Sequence, residues 1–168
     1  MNEEINKNDL VWYVSYGSNM DYARFMDYIN ECEDKTKPRE SKAVILPFNM
    51  YFSGKSIRWH CPVSFLDTTR PGESYGVAYL IFRKQLEKIV KKEGEKYSKV
   101  EITDRVPELE EYPIFTLKAS ADSYSFEKRS TYESISQSYL NKIIKGLKDN
   151  FPNLTYDQIE AYLKKCCE

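Results

Sequence analysis

Apolar and polar positions change period several times along the chain, and each change marks an element. Val11-Trp12-Tyr13-Val14-Ser15-Tyr16 is a nearly continuous apolar run of strand-favouring residues, which predicts a strand buried on both faces. Gly17-Ser18-Asn19 interrupts it. Tyr22, Phe25, Met26 and Ile29 then recur at helical spacing on one face. Strand patterns follow over 43–52, 57–66 and 74–82, with Arg70-Pro71-Gly72 as the turn between the last two. Residues 83–93 read as a helix that turns Leu86, Ile89 and Val90 inward and stops at Gly94. Further strands are expected over 99–103 and 114–119, joined by a charged loop, 104–113, that is expected to be flexible. A late helix near 133–147 aligns Ile135, Tyr139, Ile143 and Leu147. A last one starts at the capping box Thr155-Tyr156-Asp157-Gln158 and turns Ile159, Tyr162 and Leu163 inward. Consecutive strands with helices between and after them predict an α+β fold rather than a doubly wound sheet. Neither a repeat nor a linker divides the chain, so residues 1–168 read as one domain with a flexible N-terminus over 1–9.

Composition narrows the function classes. Hydrophobic residues make up 41% and aromatic ones 14% of the 168 residues, too much apolar surface for a disordered chain. The 25 Lys and Arg are balanced by 26 Asp and Glu, so the basic excess of a nucleic-acid partner is missing. The longest apolar run, Val77 to Phe82, is far too short to span a membrane, and the polar N-terminus does not read as a secretory signal. Cys32, Cys61, Cys166 and Cys167 contain no C-x-x-C pair, and the single His leaves no Cys/His metal set. Reduced thiols and a cytoplasmic location follow as expectations, with Cys166 and Cys167 in a frayed terminus. Adjacent strand residues His60 and Cys61 point to opposite faces and form no nucleophile–base pair. Glu108, Glu110 and Glu111 read as a solvated charge run.

Two places carry candidate chemistry. Tyr16-Gly17-Ser18-Asn19 lies between an apolar strand and a helix start. It is either a plain turn or a cradle whose backbone N–H groups hold an anion. It is not a P-loop, because no Gly-Lys-Ser/Thr follows. Glu93 falls seven residues after Leu86, four after Ile89 and three after Val90, on the apolar face of its helix and in the last turn. Desolvation and the negative end of the helix dipole would both raise its pKa, which suits a general base. Alternatively, its flexible stem carries the carboxylate out to water. By pattern alone, Tyr139 is a core residue of the late helix.

These features lie within a longer match. Val14-Ser15-Tyr16-Gly17-Ser18-Asn19-Met20 resembles the YGSN signature of the γ-glutamylcyclotransferase-like superfamily. Trp59-His60, and then Pro71-Gly72-Glu73-Ser74-Tyr75-Gly76-Val77-Ala78-Tyr79, resemble its strand–turn–strand unit. Leu86 through Glu93-Gly94 is similar to the helix whose terminal Glu-Gly carries the catalytic glutamate. Ser123-Tyr124, Tyr132-Glu133-Ser134 and Ser136-Gln137-Ser138-Tyr139 resemble the last strand and the Ser-x-x-Tyr helix entry. The match is dense over residues 11 to 97 and sparse beyond.

The resemblance implies a mixed β-sheet or barrel with flanking helices, and an enzyme that needs neither cofactor nor metal. Such an enzyme lets the α-amine of a γ-glutamyl compound attack its own γ-carbonyl, giving 5-oxoproline and a free amine or amino acid. Glu93 would be the base. Tyr16, Gly17, Ser18 and Asn19 would hold the substrate carboxylate or the oxyanion, and Tyr139 would line the pocket. Where mammalian-type members carry Gly-Gly after Trp-His, this chain has Cys61-Pro62. Two added side chains there would narrow or alter a bordering pocket, which leaves open a second reading: a non-catalytic module of the same fold that binds small carboxylates. The sequence leaves the oligomeric state and the identity of the leaving group open.

Overall fold

The computed structural model describes residues 6–168. Its central sheet has five strands in the order β2-β5-β1-β7-β6, formed by Leu10–Ser15 (β1), Ser41–Leu46 (β2), Ser74–Phe82 (β5), Tyr97–Glu101 (β6) and Ile114–Ala119 (β7). β1 runs antiparallel to β5 and parallel to β7, which makes the sheet mixed. Every residue of β1 is buried, as its apolar run predicts for a central strand. Asn49–Ser53 (β3) and Val63–Asp67 (β4) form a separate two-stranded ladder. β2 and β6 are the two edges of the five-stranded sheet, so the sheet is open and the barrel alternative does not apply. Four α-helices flank it among the described residues: Tyr22–Glu31 (α1), Arg83–Glu93 (α2), Gln137–Asn150 (α3) and Tyr156–Lys165 (α4). The architecture is α+β.

Helix α1 docks by inserting Phe25 between two strand tyrosines. Its ring stacks on Tyr79 of β5 with centroids 3.9 Å apart and lies 5.8 Å from Tyr13 of β1. Helix α3 begins at Ser136, whose side chain caps Tyr139 N, and buries Tyr139, Leu140, Ile143 and Leu147. The expected helix start near residue 133 falls instead in a 3-10 turn, Tyr132–Ser134. The capping box at Thr155 and Gln158 opens α4 as its pattern requires.

Several other expectations are corrected. Residues 43–52 are two strands rather than one, broken at Pro47-Phe48, where proline has no N–H to give a ladder. Residues 57–61 form a turn instead of a strand. Ser56 N donates to Cys61 O at 2.8 Å and His60 adopts a φ of 57°, so His60 and Cys61 do not alternate across a sheet. The charged loop 104–113 is pinned by Val106 and Leu109, both buried in the core, and by Trp12 N donating to Pro113 O at 2.9 Å. Cys166 is buried against the core, so the C-terminus is packed rather than frayed. Of the N-terminal segment expected to be flexible, residues 1–5 lie outside the described residues, and Lys7–Asp9 make a 3-10 turn.

Candidate active site

β1 delivers the chain to the site. Past Ser15 it turns through Tyr16 and Gly17 into a 3-10 turn, Ser18–Met20, that leads directly into α1. The turn's internal bonds begin with Met20 N donating to Gly17 O at 3.1 Å, followed by Asp21 N to Ser18 O at 3.2 Å. The N–H groups that precede this first bond have no partner within the turn. Its carbonyls are taken from behind: Tyr79 Oη donates to Asn19 O at 2.7 Å, and Asn150 Nδ2 to Met20 O at 3.2 Å. Gly17 is required by close approach. A Cβ there would stand 2.2 Å from Ser64 Oγ and 3.6 Å from Tyr139 Oη.

Glu93 arrives from the other side as the last residue of α2. Gly94 ends the helix at a φ of 90°, a conformation side chains rarely adopt, and so fixes where the glutamate leaves it. The carboxylate meets the turn directly: Asn19 Nδ2 donates to Glu93 Oε1 at 2.8 Å. Burial pushes the Glu93 carboxyl above the ordinary carboxylate range. The hydrogen bond from Asn19, the charge of Arg24, the Tyr28 hydroxyl and the charge of Arg58 oppose that rise without cancelling it. Asn19 is itself buried, and its Oδ1 has no hydrogen-bond partner among the described residues.

Tyr16, Gly17, Ser18, Asn19, Glu93 and Tyr139 all line one cavity of about 660 Å³. Six positions, from the turn after β1, from α2 and from α3, therefore meet at one cavity. Their side chains are not equally free. Tyr16 Oη donates to Leu117 O at 2.7 Å and ties the residue after β1 to β7. Tyr139 Oη accepts from Ser64 N and donates to Ser64 Oγ, both at 2.9 Å. Burial raises the Tyr139 hydroxyl pKa, which keeps it a neutral donor.

Ser64, which the sequence reading passed over, is the hub of this wall. Besides Tyr139 it takes Tyr97 Oη, which donates to Ser64 O at 2.7 Å. The available signal was a single serine inside the apolar stretch Val63-Ser64-Phe65-Leu66. Tyr13, Arg24, Tyr28 and Arg58 also line the cavity and were not singled out. Cys61 and Pro62 do not line it. The Cys61 thiol is turned to Ser136 Oγ, 3.3 Å away at the start of α3, so the departure from Gly-Gly alters packing beside the site rather than the pocket wall. The 104–113 loop also stays off the cavity, at the opposite end of β1. Among the described residues, no three His, Cys, Asp or Glu side chains gather where they could hold a metal ion. None of the described helices is long and apolar enough to cross a membrane.

No family model and no curated protein matches the sequence. Solved structures do. A γ-glutamyl cyclotransferase superposes with a TM-score of 0.67 at 19% identity, covering 95% of this chain and 89% of its own. An uncharacterized human protein does so with a TM-score of 0.66 at 20% identity, over the same shares of the two chains. A yeast γ-glutamyl cyclotransferase specific to glutathione matches with a TM-score of 0.52 at 12% identity, over 95% of this chain and 96% of its own. The chain thus has the γ-glutamylcyclotransferase-like fold.

Proposed function

We propose that the protein is a γ-glutamyl cyclotransferase-type enzyme that converts a γ-glutamyl compound into 5-oxoproline and a free amine or amino acid. The observation that carries this reading is the carboxylate of Glu93, held above its ordinary pKa inside the cavity and in contact with Asn19 of the turn. The substrate brings its own nucleophile. Its α-ammonium loses a proton to Glu93, and the amine attacks the γ-carbonyl carbon. A new C–N bond closes the ring as the γ-amide C–N bond breaks. The ring nitrogen keeps one hydrogen, and the amine departs with the protons that the ammonium gave up, passed back through Glu93. An α-amino pKa near 8 matches a carboxylate of raised basicity better than an ordinary one.

The N–H groups from Gly17 to Asn19, which have no hydrogen-bond partner among the described residues, take the developing oxyanion or the substrate's α-carboxylate. An ammonium seated beside Glu93 also supplies the donor that Asn19 Oδ1 lacks. Tyr139 and Ser64 form the wall that folds the glutamyl chain toward a ring, and such orientation is worth about 7–11 kcal/mol in well-aligned intramolecular reactions. The test is incubation with a panel of γ-glutamyl amines, amino acids and peptides, with products read by mass spectrometry. We expect 5-oxoproline and released amine in equal amounts. Free glutamate in place of 5-oxoproline, or no consumption of any member, would overturn the proposal.

A further inference from the structure

Two cations on the cavity wall have no task in the ring closure just described. Arg24, in the first turn of α1, lies with its guanidinium carbon 5.3 Å from the ring centroids of both Tyr28 and Trp59. Arg58, from the loop between β3 and β4, lies 5.8 Å from the Tyr28 centroid and donates from Nη1 to Tyr28 Oη at 3.2 Å. Neither makes an ion pair with a carboxylate among the described residues, and Arg24 Nε is buried there without a hydrogen-bond partner. An arginine held on two aromatic faces has spent its rotamer freedom without satisfying its donors. The cavity's other two cations are occupied: Lys92 pairs with Glu31 at 3.3 Å, and Lys96 donates to Lys55 O.

We propose that Arg24 and Arg58 form an anion subsite for a carboxylate on the leaving group, so that the amine released is an amino acid or short peptide rather than a simple amine. This rests on the ring-closing reading. With Lys92 paired to Glu31, the lining still carries Arg24, Arg58 and Lys96 against Glu93 and Glu95, a positive excess that suits a substrate with two carboxylates and one ammonium. The pair also stands close to the base. Tyr28, whose hydroxyl accepts from Arg58, faces Glu93, and the charges of both arginines reach its carboxylate. In a γ-glutamyl amino acid the leaving carboxylate lies two bonds from the nitrogen that Glu93 protonates, so both groups fall within one residue's reach. A planar guanidinium fork is the side chain best matched to a carboxylate.

The test compares γ-glutamyl-alanine with its neutral analogue, γ-glutamyl-alaninamide, in the wild type, Arg58→Met, Arg58→Lys and Arg24→Met. Turnover is read as 5-oxoproline, and binding is read by calorimetry in the Glu93→Gln background. We expect the wild type to favour the acid by at least about tenfold in kcat/KM. Either methionine variant should bring that ratio toward one through KM, and lysine at 58 should restore part of it. Equal kcat/KM for acid and amide in the wild type would overturn the subsite while leaving ring closure standing. An equal loss for both compounds in the variants would assign the arginines to the glutamyl carboxylate and overturn it as well. If neither compound is consumed but the acid still binds better in an arginine-dependent way, the subsite stands and the ring-closing reading falls.

Discussion

The raised pKa of Glu93 acts in opposite senses on the proposed activity and on stability. To act as the proposed base Glu93 must be ionised, so kcat/KM should fall with decreasing pH through a pKa above the ordinary carboxylate range, and a pH–rate profile measures that limb. For stability the sign reverses. Between the unfolded carboxyl pKa, about 4.3, and the raised folded value, the native state holds a proton that the unfolded chain has released. Stability therefore falls as pH rises through that window. Glu93→Gln should raise the melting temperature at pH 7–8 and make little difference near pH 4, which differential scanning calorimetry can read. Tyr139→Phe strands the buried N–H and hydroxyl of Ser64 and should cost about 1–3 kcal/mol, measured by urea denaturation. The inward face of the helix that carries Glu93 was legible in the sequence because a charge on an apolar stripe breaks the pattern, while the stripe alone left open a carboxylate carried out to water. Ser64 was not, since its partners Tyr139 and Tyr97 lie 75 and 33 residues away and no local period links them.

At the scale of elements, the site depends on α3 lying flush against the turn after β1. Gly146 makes this approach possible: a Cβ there would stand 2.6 Å from Met20 Cβ, 2.7 Å from Met20 C and 2.8 Å from Asp21 N. Two of those atoms are backbone, so the helix itself would have to retreat. Gly146→Ala should destabilise the fold by about 1–3 kcal/mol even though alanine favours helices, and should lower activity by shifting the turn. Thermal melting together with turnover checks both. Asp21 fastens the same contact, its buried carboxylate paired with Lys145 at 3.0 Å and Lys142 at 3.5 Å. Periodicity placed β5, α2 and β7 at their observed bounds because each is long and uniform, or ends at Gly94. It failed across 43–52, where apolar residues run through Pro47-Phe48, since Phe48 is buried in the turn as deeply as in a strand. Similarly, Ile57 reads as a strand residue and is 89% exposed in a turn.

For the whole molecule, the parallel β1–β7 pair and the crossing of β1 between β5 and β7 place the strand's exit at the cavity, with the charged 104–113 loop at the far end. The loop's composition could not reveal which end of the sheet it closes, because that follows from strand order alone. The C-terminal cysteines illustrate the same gap. Burial pushes the Cys166 thiol up to about 12 and the Cys167 thiol to about 11, so packing makes inert what the sequence leaves at an open end. Both should react slowly with a thiol-specific disulfide reagent at pH 7.5 in the native protein and rapidly in urea. The proposed ring closure depends on one general base, and Glu93→Gln tests it most directly. With a γ-glutamyl compound that the wild type consumes, the variant should bind with similar affinity while 5-oxoproline formation falls by about 10²–10⁴-fold. Comparable rates of 5-oxoproline formation by the two proteins would contradict the account.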